Sequence, residues 1–455
     1  MRRFQVVAVI FALCAAPAVA QDQVEVPLAQ AGDLAAQALI AGEVALALQI
    51  AEAVLAQRPD DRTALIVVAA AAPRLGDPAK GRSAGARAWA VSQGDAQKYE
   101  AARLTALAAA GEERFTLSAF WLRLALTVAP GEAERAQTLR DGRTISRRNP
   151  WSTQLSFSLV PSNNVNGGAE NDDCASVGSF DCSLSEDSVA LSGWRASLGF
   201  STQYRLQEAQ RSRTTVGLQY QTSRVRITED TLVPDASLKT EFTQFNLRHD
   251  RILENGTISG HYSFGRYNYN SIVDLEDGTL SSESYDIWRV GVDRNLPLTE
   301  TLNLSLGLQR EWFTYSVSGI GEVDRLAFST GLSYALANDD RVTASLVLKD
   351  SEGENASYTF TEQSISLGYR WSDPVGPVSL SVGGGIRLAD YPIFVTSSDG
   401  REDRVVFANA NIGFPNVSFA GFTPGLRIDA SKSDSNVTRF DRNTFSAGLT
   451  ISSQF

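Results

Sequence analysis

The C-terminal part of the sequence alternates polar and apolar residues almost without interruption, and this pattern limits the fold more than any other feature. In the segment 445–455, FSAGLTISSQF, every second position from Phe445 to Phe455 is mostly apolar, and the positions between them are polar or small. Because successive side chains of a β-strand point to opposite faces, the segment predicts a strand with one apolar and one polar face. We count about fourteen such segments after residue 149.

A sheet that is apolar outside and polar inside is typical of a transmembrane barrel. Lipid offers no hydrogen-bond partners to the backbone, so such a sheet has to close on itself. Residues 149–455 therefore predict an antiparallel outer-membrane β-barrel of about 14 strands. A soluble β-sandwich is the alternative, but its strands are usually shorter than the ones predicted here.

The connections between the predicted strands alternate in length, with short turns on one rim and long loops on the other, as in outer-membrane barrels. The short turns contain glycine, proline, asparagine or aspartate, which suit tight turns, and fall at 254–256, 296–298, 338–340 and 373–377. The long loops fall at 161–188, 229–236, 272–282, 317–323, 351–356, 392–402 and 431–439.

The N-terminus has the features of a secretory signal peptide, which we assign to residues 1–20. Two arginines precede an apolar run at 7–13, and Ala-Val-Ala at 18–20 forms a cleavage site. Cys14 raises the alternative of a lipoprotein signal, but Leu13 is too bulky for the residue before a lipidated cysteine. The longest later apolar run, 64–72, is too short to cross a bilayer as a helix. These features predict export to the periplasm, the outer membrane or the medium, and the predicted barrel selects the outer membrane of a Gram-negative cell.

Residues 21–148 are rich in alanine and predict a periplasmic domain of helical repeats. Gly42-Glu43, Gly76-Asp77 and Gly111-Glu112 recur at intervals close to the 34-residue period of tetratricopeptide repeats. We expect about three helix pairs; an irregular alanine-rich bundle is the alternative. Stacked helix pairs present a groove that binds a partner. The expected packing positions are Ala45, Leu46, Ile50, Ala53 and Val54 in one helix, and Phe115, Phe120, Leu124 and Leu126 in another.

Three features of the barrel half carry specific predictions. Cys174 and Cys182 lie in a polar loop, and two cysteines close together in an oxidising compartment usually form a disulfide. Phe455 is a C-terminal aromatic residue of the kind read by the barrel-assembly machinery. Charged residues at inward positions are candidates for lining the lumen, either as a stabilising network or as a polar path for a substrate; they are Arg195, Arg205, Arg289, Asp293, Arg370, Arg387, Arg427 and Asp429.

Composition argues against catalysis and nucleic-acid binding. The formal net charge of −11 is unlike that of a protein that binds phosphate backbones. Only two histidines occur, His249 and His261, which makes a multi-histidine metal site implausible. Ser259 and Ser263 share the inward face with His261, but serine recurs at inward positions throughout this half. We predict that the protein is not an enzyme and needs no cofactor.

The organisation resembles the surface lipoprotein assembly modulators, the Slam family. The local carriers of the resemblance are Val160-Pro161-Ser162-Asn163-Asn164-Val165-Asn166 after the first strand, Gly421-Phe422-Thr423-Pro424, and the run 434–443, DSNVTRFDRN. The resemblance implies a periplasmic tetratricopeptide domain joined to a fourteen-strand outer-membrane barrel. The chain departs from the family in its short repeat domain, whose middle copy is degenerate, and this leaves the cargo open.

By this resemblance the protein is expected to deliver lipoproteins, or other secreted proteins, to the cell surface. The helical repeats would capture cargo in the periplasm, and the barrel, held in outer-membrane lipid, would provide the route. Two alternatives remain at this stage: a polysaccharide-export barrel with tetratricopeptide repeats, and a general porin. The sequence does not decide whether the lumen is open or plugged.

Overall fold

A computed structural model describes residues 27–172, 183–394, 399–415, 417 and 422–453. The predicted signal peptide, the two loop cysteines and Phe455 lie outside the described residues. The described chain begins with seven α-helices: α1 Leu28–Ile40, α2 Val44–Gln57, α3 Arg62–Ala71, α4 Pro78–Val91, α5 Asp95–Gly111, α6 Phe115–Thr127 and α7 Glu132–Arg148. None of the helices in these residues is both long and apolar enough to span a membrane.

Fourteen antiparallel strands follow and close into a barrel, in which each strand pairs with its sequence neighbours and β1 pairs with β14. This confirms the predicted fold class of N-terminal helices followed by a closed antiparallel barrel. The strands are β1 Trp151–Ser162, β2 Gly193–Ala209, β3 Ser212–Ile227, β4 Thr240–Leu253, β5 Gly256–Asp274, β6 Thr279–Pro297, β7 Leu302–Tyr315, β8 Glu322–Ala335, β9 Arg341–Gly353, β10 Phe360–Arg370, β11 Ser379–Tyr391, β12 Arg401–Gly413, β13 Phe422–Ser435 and β14 Arg442–Ser453.

The outer face of the barrel is apolar, and its two ends differ. Exposed outward side chains include Leu198, Phe245, Ile365, Leu367 and Leu449, each 49–63% exposed. The rim at which β1 begins, here the proximal rim, has short turns and an aromatic girdle. In that girdle Trp151 packs on Tyr204 with ring centroids 4.7 Å apart, and Tyr369 packs on Trp371 at 4.6 Å. The opposite, distal rim carries the longer loops, which is the asymmetry of outer-membrane barrels.

The helices pack through small residues. Alanines from α1 to α5 form one buried cluster with Val54, Leu65, Val67 and Val68, because alanine lets helix backbones approach closely. The expected packing positions were partly wrong. Ala45, Leu46 and Ala53 are exposed, and the buried positions of α2 are Ala47, Ala51 and Val54. Helix α2 has apolar residues on all of its sides, so its sequence alone does not show which side is buried.

Candidate functional site

A charged network lines the inner face of β4 to β8. Arg248 donates to Asp250 at 2.8 Å and to Asp293 at 3.0 Å. The ring of His261 lies 3.3 Å from Asp293 through Nδ1, and 3.0 Å from the Gln309 side chain through Nε2. His261 is thus hydrogen-bonded to an amide and lies beside a carboxylate. Among the contacts of the described residues, His261 makes no hydrogen bond to Ser259 or Ser263.

The same network continues toward the distal rim. Arg289 donates to Glu311 at 2.7 Å and to Gln244 at 2.6 Å, and Arg325 lies 3.5 Å from the other oxygen of Glu311. Glu311 is only 8% exposed, so its charge depends on these two guanidinium groups. Two cavities of about 720 Å³ and 600 Å³ open beside the network on the lumen side.

The remaining predicted lumen residues lie in different settings. Arg195 donates to the backbone carbonyl of Val165, and Arg205 donates to the carbonyls of Arg147 and Asn149 at the proximal rim. Arg427 and Asp429 form an ion pair at 2.8 Å. Arg387 lines a separate distal cavity, and Arg370 is the last residue of β10. That these residues form a path for a substrate stays a prediction.

Two distal loops fold over the lumen and form what we call the distal cap, comprising the described residues of 163–192 together with 228–239. Asn166 organises the first loop: it donates to the carbonyls of Val189 at 2.6 Å and Asp187 at 3.0 Å, and accepts from the N–H of Leu191 at 2.9 Å. Gly168 packs so tightly there that a Cβ would lie 2.3 Å from the Val189 carbonyl carbon.

The distal cap has an apolar interior. Val165 is 1% exposed and packs with Leu191, with Val233 of the second loop, and with Val225 and Ile227 on the inner face of β3. The expectation of a polar inner face was therefore wrong at the distal end. At that end the cap loops pack on apolar side chains of the inner face and shield them from water. The alternation of polar and apolar residues does not predict these buried inner positions.

An aromatic patch on the neighbouring inner wall continues this surface. Tyr285 lies 5.0 Å from Tyr267 and 4.9 Å from Tyr315, measured between ring centroids. Ile287, Phe313 and Val323 are buried beside these rings. The signal in the sequence is the run of large rings at alternate positions near the strand ends, which occupy positions expected to be polar.

A carboxylate joins the two loops of the distal cap. Glu186 accepts hydrogen bonds from the Leu232 N–H at 2.9 Å and from the Thr231 hydroxyl at 2.8 Å. These two donors, the backbone N–H foremost, hold the pKa of Glu186 below its usual value. The cap is therefore held by a charged contact as well as by its apolar interior.

Among the described residues, the seam between β1 and β14 has fewer register pairs than any other seam. Its register contains four residue pairs, Phe157 with Ile451, Ser158 with Thr450, Leu159 with Leu449 and Ser162 with Ser446. Every other neighbouring strand pair contains at least ten. Within the described residues, positions 151–156 of β1 have register partners on β2 and none on β14. Pro161 lacks an N–H group and interrupts the pairing near the distal end.

Helix α6 contacts β13 on one side of this seam and borders β1 and β2 on the other. The Arg123 guanidinium lies 5.4 Å from the ring centroid of Phe422 on β13, and burial lowers the pKa of Arg123. On the other side, α6 borders a groove of about 570 Å³ that also contains Trp151 and Tyr204. Phe120, expected in the helical core, is 51% exposed and lines this groove. It faces the rim because α6 packs on α5 with its other side.

No protein-family model matches the sequence. No curated protein matches it either. Among solved structures, OccAB3 of Acinetobacter baumannii is 13% identical, covers 66% of this chain and 98% of its own, and has a TM-score of 0.34. A FadL homologue of Pseudomonas aeruginosa is 10% identical, with coverages of 67% and 89% and a TM-score of 0.33. The toluene transporter TodX of Pseudomonas putida is 10% identical, with coverages of 67% and 89% and a TM-score of 0.35.

Proposed function

We propose that the protein is an outer-membrane translocator that delivers lipoproteins, or other secreted proteins, to the cell surface. In this proposal the helices lie in the periplasm, capture the cargo and pass it to the barrel. The single observation that carries the proposal is the position of α6, which contacts β13 through Arg123 and borders β1 and β2 at Trp151 and Tyr204. The helices thus meet the barrel at the seam with the fewest register pairs among the described residues.

The aromatic groove beside α6 supports the proposal that an apolar segment of the cargo binds there. Phe120, Trp151 and Tyr204 contribute aromatic surface to it, and Phe120 and Trp151 are 51% and 49% exposed. Two of these residues belong to the proximal girdle, at the depth of the membrane interface. The acyl chains of a lipoprotein are the kind of ligand that such a groove would accept, with the folded part of the cargo left in water.

The sparse pairing of β1 with β14 supports a sideways route for a lipid-anchored cargo. In the part of the chain that the structure describes, opening this seam breaks four register pairs, whereas every other seam has at least ten. The lumen cavities provide polar surface for the protein part. A general porin fits less well, because the distal cap covers the lumen with an apolar cluster on the side of the long loops.

Deletion of the gene, followed by protease shaving of whole cells, tests the function. We expect surface lipoproteins to become protected in the deletion strain and exposed again on complementation. If the same lipoproteins, and the same secreted proteins, remain exposed without the gene, the proposed function is wrong. A photo-crosslinking residue at position 120 of the full chain should capture cargo, whereas the same residue at Leu46 on α2, which is 49% exposed and lies outside the groove, should not.

A reversible lock tests the seam separately. In a Cys174→Ser and Cys182→Ser background, Ser158→Cys with Thr450→Cys would join β1 to β14, and Gln154→Cys with Ser201→Cys would join β1 to β2 as the control. We expect the seam lock alone to stop delivery when oxidised and to permit it after reduction. Normal delivery through an oxidised seam would exclude the sideways route and leave the function itself standing.

A further inference from the structure

The inner face of β11 to β14 and the turn between β13 and β14 carry a cluster of arginines below the distal cap. The cluster consists of Arg387, Arg401, Arg439 and Arg442. Three of these guanidinium groups surround the ring of Phe440, with their central carbons 3.8, 5.1 and 6.0 Å from the ring centroid for Arg401, Arg439 and Arg442. Arg387, Arg401 and Arg442 also line a cavity of about 360 Å³, which Gly167 of the cap borders.

The positive charge of this cluster is largely uncompensated. Arg401 pairs with Asp403 at 3.2 Å, whereas no carboxylate of the described residues lies within ion-pair distance of Arg387, Arg439 or Arg442. Glu362, which also lines the cavity, is already paired with Lys349 at 2.8 Å. By contrast, Arg248 on β4, Arg289 on β6 and Arg325 on β8 each have a carboxylate partner.

The Arg401 side chain is fixed by its neighbours, but not all of its hydrogen-bond donors have a partner in the described part of the chain. Arg401 is 8% exposed, and its guanidinium lies between two rings, 3.6 Å from the centroid of Tyr391 and 3.8 Å from that of Phe440. Its Nε–H has no hydrogen-bond partner, and neither does Oδ1 of Asp403. Buried polar atoms are nearly always hydrogen-bonded. The Arg401–Asp403 pair therefore lacks one acceptor and one donor among the described residues.

We propose that this cavity is a binding site for a phosphorylated saccharide. Arginine is the residue best suited to phosphate, because its planar donors match two phosphate oxygens at once. The hydroxyl-bearing part of such a ligand would donate to Asp403 and exchange hydrogen bonds with Ser431, Ser433 and Thr444, which also line the cavity. The volume exceeds that of free phosphate and suits a single sugar ring bearing one phosphate.

Binding to the full-length protein in detergent tests the proposal, with glucose 1-phosphate, inorganic phosphate, glucose and lipid A as probes in isothermal titration calorimetry. We expect a phosphorylated sugar to bind about tenfold more tightly than phosphate, and glucose alone not to bind. Stronger binding of lipid A would assign the site to a lipid headgroup, and stronger binding of glucose 1-phosphate to a free sugar phosphate. Either result supports a site for a phosphorylated saccharide.

Arg387→Gln and Arg442→Gln should each weaken binding about tenfold, since each removes a charged hydrogen bond to the phosphate. Arg427→Gln is the matched control, because that lumen arginine is neutralised by Asp429. A gel mobility that changes on boiling shows that each variant still forms the barrel. Absence of binding by every phosphorylated probe, or equal binding by the Arg387, Arg442 and Arg427 variants, would overturn the proposal. Equal affinity for phosphate and glucose 1-phosphate would overturn its saccharide part.

Discussion

The Asn163 side chain accepts a hydrogen bond from the backbone N–H of Phe445 at 2.7 Å and so reinforces the backbone bond from the Asn163 N–H to the Phe445 carbonyl, at 3.4 Å, at the distal end of the seam. The same amide donates to the carbonyl of Asn443 at 3.3 Å. Asn163 therefore bonds β14 as a backbone unit would, just beyond the last residue of β1. This contact closes the distal end of the seam whose proximal half has no register partner on β14 in the described residues.

Replacing Asn163 should weaken the seam without altering the rest of the barrel. Asn163→Ala removes both side-chain hydrogen bonds and should lower the free energy of unfolding by about 1–2 kcal/mol. Asn163→Asp keeps the acceptor for Phe445 and loses the donor to Asn443, so its loss should be smaller. Urea unfolding of the barrel in detergent measures both values. Equal stability of wild type and Asn163→Ala would show that the contact does not hold the seam.

Arg205 fixes the junction between the helices and the barrel. Its guanidinium donates to the carbonyl of Arg147 at 3.0 Å and to that of Asn149 at 2.8 Å, and so holds the end of α7 on β2. Arg205→Gln should free this segment and increase the rate of trypsin cleavage after Arg147 and Arg148 several-fold, as measured by mass spectrometry.

Arg213→Gln is the control for this experiment, because Arg213 lies near the proximal rim and pairs with Asp250 within the barrel wall. Its trypsin cleavage after Arg148 should match that of wild type. If the two variants are cleaved equally fast, the junction is held by other contacts, such as the one between Arg123 and Phe422.

The distal cap should control passage through the lumen. Asn166→Ala leaves two carbonyls and one N–H of the first cap loop without their partner, which should cost roughly 1–3 kcal/mol per buried group. We expect the variant to open more often in planar bilayers and to sensitise cells to large antibiotics. Asn355→Ala is the matched control. Asn355 accepts from Ser357 at 3.0 Å and donates to Gly319 at 2.8 Å in loops outside the cap. Equal conductance of both variants would contradict this role of the cap.

The barrel could be predicted from the sequence because each strand repeats one physical rule. Alternation in β2, β7 and β11 places leucine and valine outward, and the turn residues separate the strands at the right places. The contacts that close the molecule could not be predicted in this way. In the sequence, Asn163 and Asn166 look like ordinary polar loop residues. Their amides find hydrogen-bond partners, on β14 and at residues 187–191, only because folding brings distant segments of the chain together.

The arginine cluster illustrates the same limit. Arg387 was predicted to face the lumen from strand alternation, but its neighbours Arg401, Arg439 and Arg442 lie at strand ends and in a loop, where the alternation gives no direction. Barrel closure brings these residues together around Phe440. Likewise, the exposed position of Phe120 depends on the rim of the barrel, which the pattern of α6 does not encode.

The link between the two cap loops should depend on pH through Glu186. Its pKa is lowered in the folded protein by the Leu232 N–H and the Thr231 hydroxyl, so the link is fully formed above the unfolded value of about 4.3. It is lost as the pH falls through the lower, folded value. Hydrogen exchange of the Leu232 amide, corrected for intrinsic rate, should therefore show protection at pH 7 that disappears in acid.

Glu186→Gln should lack much of this protection at pH 7 and change little in acid, because an uncharged amide is the weaker acceptor. Glu276→Gln, in the loop between β5 and β6, should retain the wild-type profile. Equal exchange of wild type and Glu186→Gln at pH 7 would mean that the apolar cluster around Val165 holds the loops together without the carboxylate.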